Sequence, residues 1–175
     1  LYVLLHRRSC RIFLQTELFN SGIRPAVDSG LSVSRVGSSA QTEAMKKVSA
    51  SLKLDLAQYR EVLDFAQFGT DLDSATKQTI NRGQHLTELL KQPQYSPVEM
   101  EDMVLVLFAN QKGLIDQIPL NMVKYYEQSL LLEMHSSYPE IVDEIRSEKD
   151  ISPELEEKMY RVMKEHSDRY RITEM

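Results

Sequence analysis

Along most of the chain apolar residues return every three or four positions, the spacing of a buried stripe on an α-helix. Leu52, Leu56, Tyr59 and Leu63 form one such stripe and predict a long helix from about Ala40 to Phe68, ended by Gly69. A second helix is expected from an Asp73 cap to about Lys91, with Leu86, Leu89 and Leu90 on its buried side and Pro93 stopping it. The sharpest local start is Ser96-Pro97-Val98-Glu99: a capping serine, a proline at the first helical position and a glutamate placed to complete a capping box. That third helix carries Met103, Val104, Leu107 and Phe108 and runs to Gly113. A fourth, from about Leu120 to His135, holds Met122, Tyr126, Leu130 and Met134 at four-residue spacing. A last one opens at Ser152-Pro153-Glu154, where Glu154, Glu156 and Glu157 favour the positive end of the helix dipole. Isolated helices of this length are marginal in water, so the prediction is a bundle of five or six packed against one another.

The texture differs ahead of Ser38. Short apolar runs, Ile12-Phe13-Leu14 and Leu31-Ser32-Val33-Ser34, stand around Gly22, Pro25 and Gly30 and suit short strands and turns. Two regions result, the change falling near Ser38: 12–38 as a strand-and-turn unit and 39–175 as the helical domain. The fold class expected is therefore mainly α, with a short strand-and-turn segment in front.

Composition changes this picture little: 42% hydrophobic and 27% charged residues are ordinary for a globular protein. A net charge of −5 disfavours a nucleic-acid partner, whose backbone selects for dense Lys and Arg. The opening run Leu1 to Leu5 is too short for a signal-peptide core, and Arg7-Arg8 is followed by polar rather than apolar sequence, so no export signal is expected. No run of about 18 apolar residues suggests a membrane span.

Candidate chemistry is sparse. His6, His85, His135 and His166 are scattered, and Cys10 is the single cysteine, so neither a metal centre nor a Cys/His nucleophile is expected. The carboxylates read as solvated helix faces. Neither GxxxxGK[ST] nor GxGxxG occurs, so the sequence has no phosphate cradle of its own.

Three stretches are different in kind. Phe19-Asn20-Ser21-Gly22-Ile23-Arg24-Pro25-Ala26-Val27-Asp28-Ser29-Gly30-Leu31-Ser32-Val33-Ser34-Arg35-Val36-Gly37 resembles the signature of the alpha and beta subunits of rotary ATPases, and Ser32 to Gly37 is similar to the alpha form. Phe65-Ala66-Gln67-Phe68-Gly69-Thr70-Asp71-Leu72-Asp73 and Leu89-Leu90-Lys91-Gln92-Pro93-Gln94-Tyr95-Ser96-Pro97 resemble the same subunit of F-type ATP synthases, in order and at matching spacing. The resemblance covers about residues 12–175, more closely to about 113. It implies that 12–38 is the tail of a P-loop nucleotide-binding domain and that 39–175 is the C-terminal helical domain of the non-catalytic subunit.

The resemblance also implies roles. Guanidinium is permanently charged and forked to suit phosphoryl oxygens, and Arg35 takes the position of an arginine finger reaching the beta subunit's catalytic nucleotide, with Ser32 beside it. Gln92 and Gln94, with Arg24 and Phe19, take the adenine side of a non-catalytic site for ATP or ADP; amides both donate and accept, as reading an adenine edge requires. The phosphates and Mg²⁺ would be held by an upstream domain. The implied partners are beta subunits, other alpha subunits and the gamma central stalk, in a proton-translocating complex peripheral to the inner face of a bacterial plasma membrane, or to a mitochondrial inner or thylakoid membrane. No catalysis is expected from the isolated polypeptide. Of the exposed apolar residues on the third and fourth helices, core is expected to take the larger share and subunit contacts the rest.

Residues 1–11 depart from the family, with His6 and Cys10 in place of a serine and a glycine near the catalytic phosphates; a truncated or frame-altered gene product is the expectation there. Two further readings stay open: the second polypeptide of a split alpha subunit, and a helical subunit-interaction module without nucleotide contact.

Overall fold

The computed structural model describes residues 10–34, 36–66 and 72–170. The described part begins with strand β1 (Cys10–Arg11), a short helix α1 (Thr16–Asn20) and strand β2 (Val33–Ser34), which pairs antiparallel with β1 in the register Cys10↔Ser34 and Arg11↔Val33. An isolated antiparallel bridge joins Leu14 to Val27. These pieces form a lip on the helical part, and Cys10 and Arg11, which the resemblance does not reach, belong to it. Helix α1 is an addition to the strands and turns expected in this stretch.

A four-residue helix α2 (Gly37–Ala40) leads into the bundle, followed by α3 (Glu43–Ser49), α4 (Leu52–Ala66), α5 (Ser74–Leu89), α6 (Met100–Gln111), a 3₁₀ turn at Leu120–Met122, α7 (Val123–Ser137), α8 (Pro139–Glu148) and α9 (Pro153–Asp168). Helices α3 to α9 make seven among the described residues, against five or six expected. One addition comes from the predicted long first helix, which is broken at Ala50 and Ser51. The serines there bond to neighbouring groups: Ser49 Oγ donates to the Met45 carbonyl at 2.7 Å and Ser51 Oγ to Asp55 Oδ2 at 2.8 Å, interactions that compete with helix propagation. The break lets α3 pack on α6 while α4 lies along α5. The predicted end at Phe68 and Gly69 lies outside the described residues. The other addition is α8, started by Pro139 at its first turn and burying Ile141, Val142 and Ile145.

Capping shows which local signals decide. Asp73 accepts from the Thr76 amide at 2.8 Å, and Ser152 from the Leu155 amide at 3.1 Å, as their sequences suggest. The Ser96 signal fails. Helix α6 starts three residues later with Glu99 at its cap and no side-chain cap bond, because Gln92 Nε2 donates to the Ser96 carbonyl at 2.5 Å and holds that residue in the preceding turn.

The core is centred on α6. Glu101, Val104, Leu105, Val106, Phe108 and Ala109 are all buried on this helix, so it is covered nearly all round, as befits the middle of a bundle. Around it stand Ala44 and Val48 from α3, Tyr126, Leu130 and Met134 from α7, Ile141 and Ile145 from α8, and Met159 and Met163 from α9. Most of the apolar stripes on α6 and α7 are thus core. Met103, Tyr125 and Leu132 remain at the surface, and so does Leu90, against the expectation that it is buried. Glu101 is only 4% exposed and is held by Arg146 at 2.5 Å. Burial pushes its carboxyl up, but its own backbone amide, Arg146 and His135 together outweigh that and leave it below the usual range.

The α4–α5 contact depends on a glycine. A Cβ on Gly83 would fall within the Tyr59 side chain, 2.5 Å from its Cβ, which is the fixed root of that group. Alanine normally favours a helix interior over glycine by about 1 kcal/mol, yet overpacking costs about 1–3 kcal/mol. Gly83→Ala is therefore expected to lower the melting temperature; a variant melting above wild type would show that Tyr59 gives way freely.

Candidate functional site

The lip and the α5–α6 connection enclose an open cleft of about 800 Å³ lined by Leu14, Gln15, Thr16, Phe19, Arg24, Pro25, Ala26, Gln92, Pro93 and Gln94. One wall is fixed by backbone bonds. Gln15 N donates to the Ala26 carbonyl at 3.0 Å and Asp28 N to the Phe13 carbonyl at 2.8 Å, so the backbone folds back on itself around α1. The Arg24–Pro25 peptide bond is cis. The opposite wall is tied to the first by Gln92 N, which donates to the Arg24 carbonyl at 2.8 Å.

Four residues singled out in the sequence, Phe19, Arg24, Gln92 and Gln94, therefore meet in one cleft although 75 positions separate the first from the last. The Arg24 guanidinium carbon sits 4.4 Å from the centre of the Phe19 ring, a cation–π contact that presents a flat, partly apolar, partly cationic surface. Phe19 stays 51% exposed. The Gln92 side-chain amide nitrogen is committed to the Ser96 carbonyl, leaving its oxygen as acceptor, while the Gln94 side-chain amide makes no hydrogen bond among the described residues. A stacking surface beside amide donors and acceptors suits a planar heterocycle, and the volume falls in the ordinary range for small-molecule sites.

Ser32 lies elsewhere. Its Oγ accepts from Phe13 N at 3.0 Å, its amide donates to the Asp28 carbonyl at 3.0 Å, and Lys53 Nζ reaches its carbonyl at 3.4 Å. Ser32 thus sits in the lip, just ahead of β2, and lines no part of the cleft. Arg35 falls outside the described residues; its neighbours are Ser34 at the end of β2 and Val36 at the cap position before α2.

Asp28 escapes the sequence reading as an individual. This carboxylate is 4% exposed and accepts from Gly30 N at 2.7 Å, Leu31 N at 3.0 Å and Arg60 Nη1 at 3.1 Å, with Gln15 Nε2 on its other oxygen. The Leu31 amide leads in holding its carboxyl below the usual range, with Arg60 and the Gly30 amide adding to it against the opposing effect of burial. The signal that could have found it is Asp28-Ser29-Gly30, an aspartate able to bond its own backbone two and three residues on.

Three of the four histidines find partners within the fold, and His6 lies outside the described residues. His85 lies within 2.7 Å of the Asn81 and Ile118 carbonyls, His135 within 2.7 Å of Asp102, and His166 contacts Glu133 and packs at a tilt against Tyr126 and Tyr170. Among the described residues no group of three or more His, Cys, Asp or Glu is arranged to hold a metal, and no helix is long and apolar enough to cross a membrane.

Fold and site together define a helical domain with a strand-and-turn lip that forms one wall of an open cleft. The protein belongs to the family described as "ATP synthase alpha/beta chain, C terminal domain", whose model matches residues 41–166. It is 53% identical over 149 residues to the ATP synthase subunit alpha of Petrotoga mobilis (strain DSM 10674 / SJ95), an alignment covering 85% of this sequence and 30% of that relative. The present sequence thus spans less than a third of the length of that relative.

Proposed function

We propose that this sequence is the C-terminal portion of an ATP synthase alpha subunit that acts through assembly, contributing to two nucleotide sites whose phosphate-binding parts lie elsewhere. The observation that carries this is the meeting of Phe19, Arg24, Gln92 and Gln94 in one cleft of a member of this family. In this reading the cleft takes the adenine of a non-catalytic ATP or ADP, stacked against the Arg24–Phe19 pair and read by the two glutamines. An upstream domain holds the phosphates and Mg²⁺. Arg35, which follows β2 in sequence, reaches a beta subunit's catalytic nucleotide as an arginine finger, with Ser32 shaping the segment before it. The helical bundle stands beside other alpha and beta subunits around the gamma stalk, in a complex bound peripherally to a proton-translocating membrane sector and coupling proton transport to ATP synthesis.

The stacking surface is the part to remove first. Arg24→Ala, in an alpha–beta complex whose alpha subunit carries this sequence, is expected to weaken ADP binding at the non-catalytic sites by about 1–3 kcal/mol, the scale of base stacking. Equilibrium dialysis against the wild-type complex reads this directly. Unaltered affinity would remove the cleft from the site.

A further inference from the structure

We propose that Asp28 is a positioning residue for the segment that runs through β2 into Arg35, an inference that rests on the finger reading above. Strand β2 is two residues long and pairs with an equally short β1. Val33 on it is 55% exposed. A two-stranded ribbon of that size is too weak to fix its own position. Something outside the ladder has to do so.

The Asp28 carboxylate meets that need from beneath. Its Oδ1 gathers the Gly30 and Leu31 amides and Arg60 Nη1, and its Oδ2 faces Gln15 Nε2. A carboxylate offers about four acceptor positions, and here four donors converge on it. Its backbone joins in, the amide donating to Phe13 and the carbonyl accepting from Ser32. Arg60 belongs to α4, so the turn just ahead of β2 is tied to the bundle by an ion pair whose acidic end is buried. Such a charge is tolerated only when it is paired and hydrogen-bonded, as this one is. An arginine directed at a phosphoryl group in a neighbouring subunit needs placement of this kind, because a misplacement of about 1 Å can cost about a hundredfold in rate.

The test uses Asp28→Ala and Asp28→Asn in an alpha–beta complex whose alpha subunit carries this sequence. Asp28→Ala is expected to lower kcat for ATP hydrolysis about 10- to 100-fold with KM for ATP unchanged, since ATP is bound by the partner and only its transition state is affected. Asp28→Asn keeps an acceptor for the Gly30 and Leu31 amides but loses the charge that pairs with Arg60, and is expected to turn over between Asp28→Ala and wild type. Amide exchange at Gly30 and Leu31 in the same complexes should speed up in Asp28→Ala and stay close to wild type in Asp28→Asn. Combined with Arg35→Lys, Asp28→Ala should add no further loss, because both act on one interaction. Wild-type kcat in Asp28→Ala, or losses that multiply with those of Arg35→Lys, would overturn the assignment. Unchanged turnover in Arg35→Lys alone would instead defeat the finger reading, and this inference with it.

Discussion

Replacing Arg35 by lysine in an assembled alpha–beta complex is expected to slow ATP hydrolysis by about 10³- to 10⁵-fold, the effect of removing an arginine finger from a nucleotide hydrolase. Lysine keeps the charge but offers a compact ammonium in place of a planar fork, so it cannot span two phosphoryl oxygens at once. The loss should appear in kcat, with ATP binding little changed, because the finger meets charge that develops only as the phosphoryl group transfers. Thermal stability should stay close to wild type. In sequence the residue falls between β2 and α2, ahead of the helices that build the hydrophobic core. Steady-state turnover with a parallel melting curve separates a lost finger from a damaged fold; near-normal turnover would assign Arg35 a purely structural place.

Phe108→Ala is expected to have the largest effect on stability, about 3–5 kcal/mol. Phe108 is 1% exposed on α6, between Leu105 and Ala109 in the shared core. The helix is buried on most of its circumference, so neighbours on several sides would have to shift to fill the space, and the packed interior yields only partly. Lys112 Nζ lies 5.3 Å from the ring centre and would lose that contact as well. For a protein of this size the change corresponds to a fall in melting temperature of roughly 6–20 °C. A fall of only a degree or two would mean that the bundle repacks around α6 and that its centre has been misplaced.

Much of the helical part is legible because its signals are local. Asp73 and Ser152 cap where their sequences say, and the four-residue spacing of Tyr126, Leu130 and Met134 does mark a buried face. Where tertiary bonds compete, local signals lose. Ser96 is a good cap by sequence, but its carbonyl is taken by Gln92 and the helix waits until Met100. The stripe through Leu52, Leu56, Tyr59 and Leu63 reads as part of one long helix, because nothing in its period reveals that α3 and α4 face different partners. Of that stripe only Leu56 is buried. Gly83 gives no sign of its purpose, since the Tyr59 ring that requires it comes from another helix.

The candidate site divides in the same way. Phe19, Arg24, Gln92 and Gln94 are expected together by resemblance, and the fold brings them to one cleft. Asp28 is visible as a letter in a signature, whereas its burial and its bond to Arg60 belong to the packing of the lip on α4. A buried carboxylate with partners up to 32 positions away cannot be told from a turn residue by its neighbours in sequence.

The central claim is that this polypeptide completes nucleotide sites built with other domains and subunits. A structure of the assembled alpha–beta complex with bound ADP tests it most directly. The account predicts adenine stacked beside Arg24 and Phe19 within hydrogen-bond reach of Gln92 or Gln94, and the Arg35 guanidinium directed across the boundary at a beta-bound nucleotide. An empty cleft together with Arg35 folded back onto carboxylates of its own subunit would contradict it.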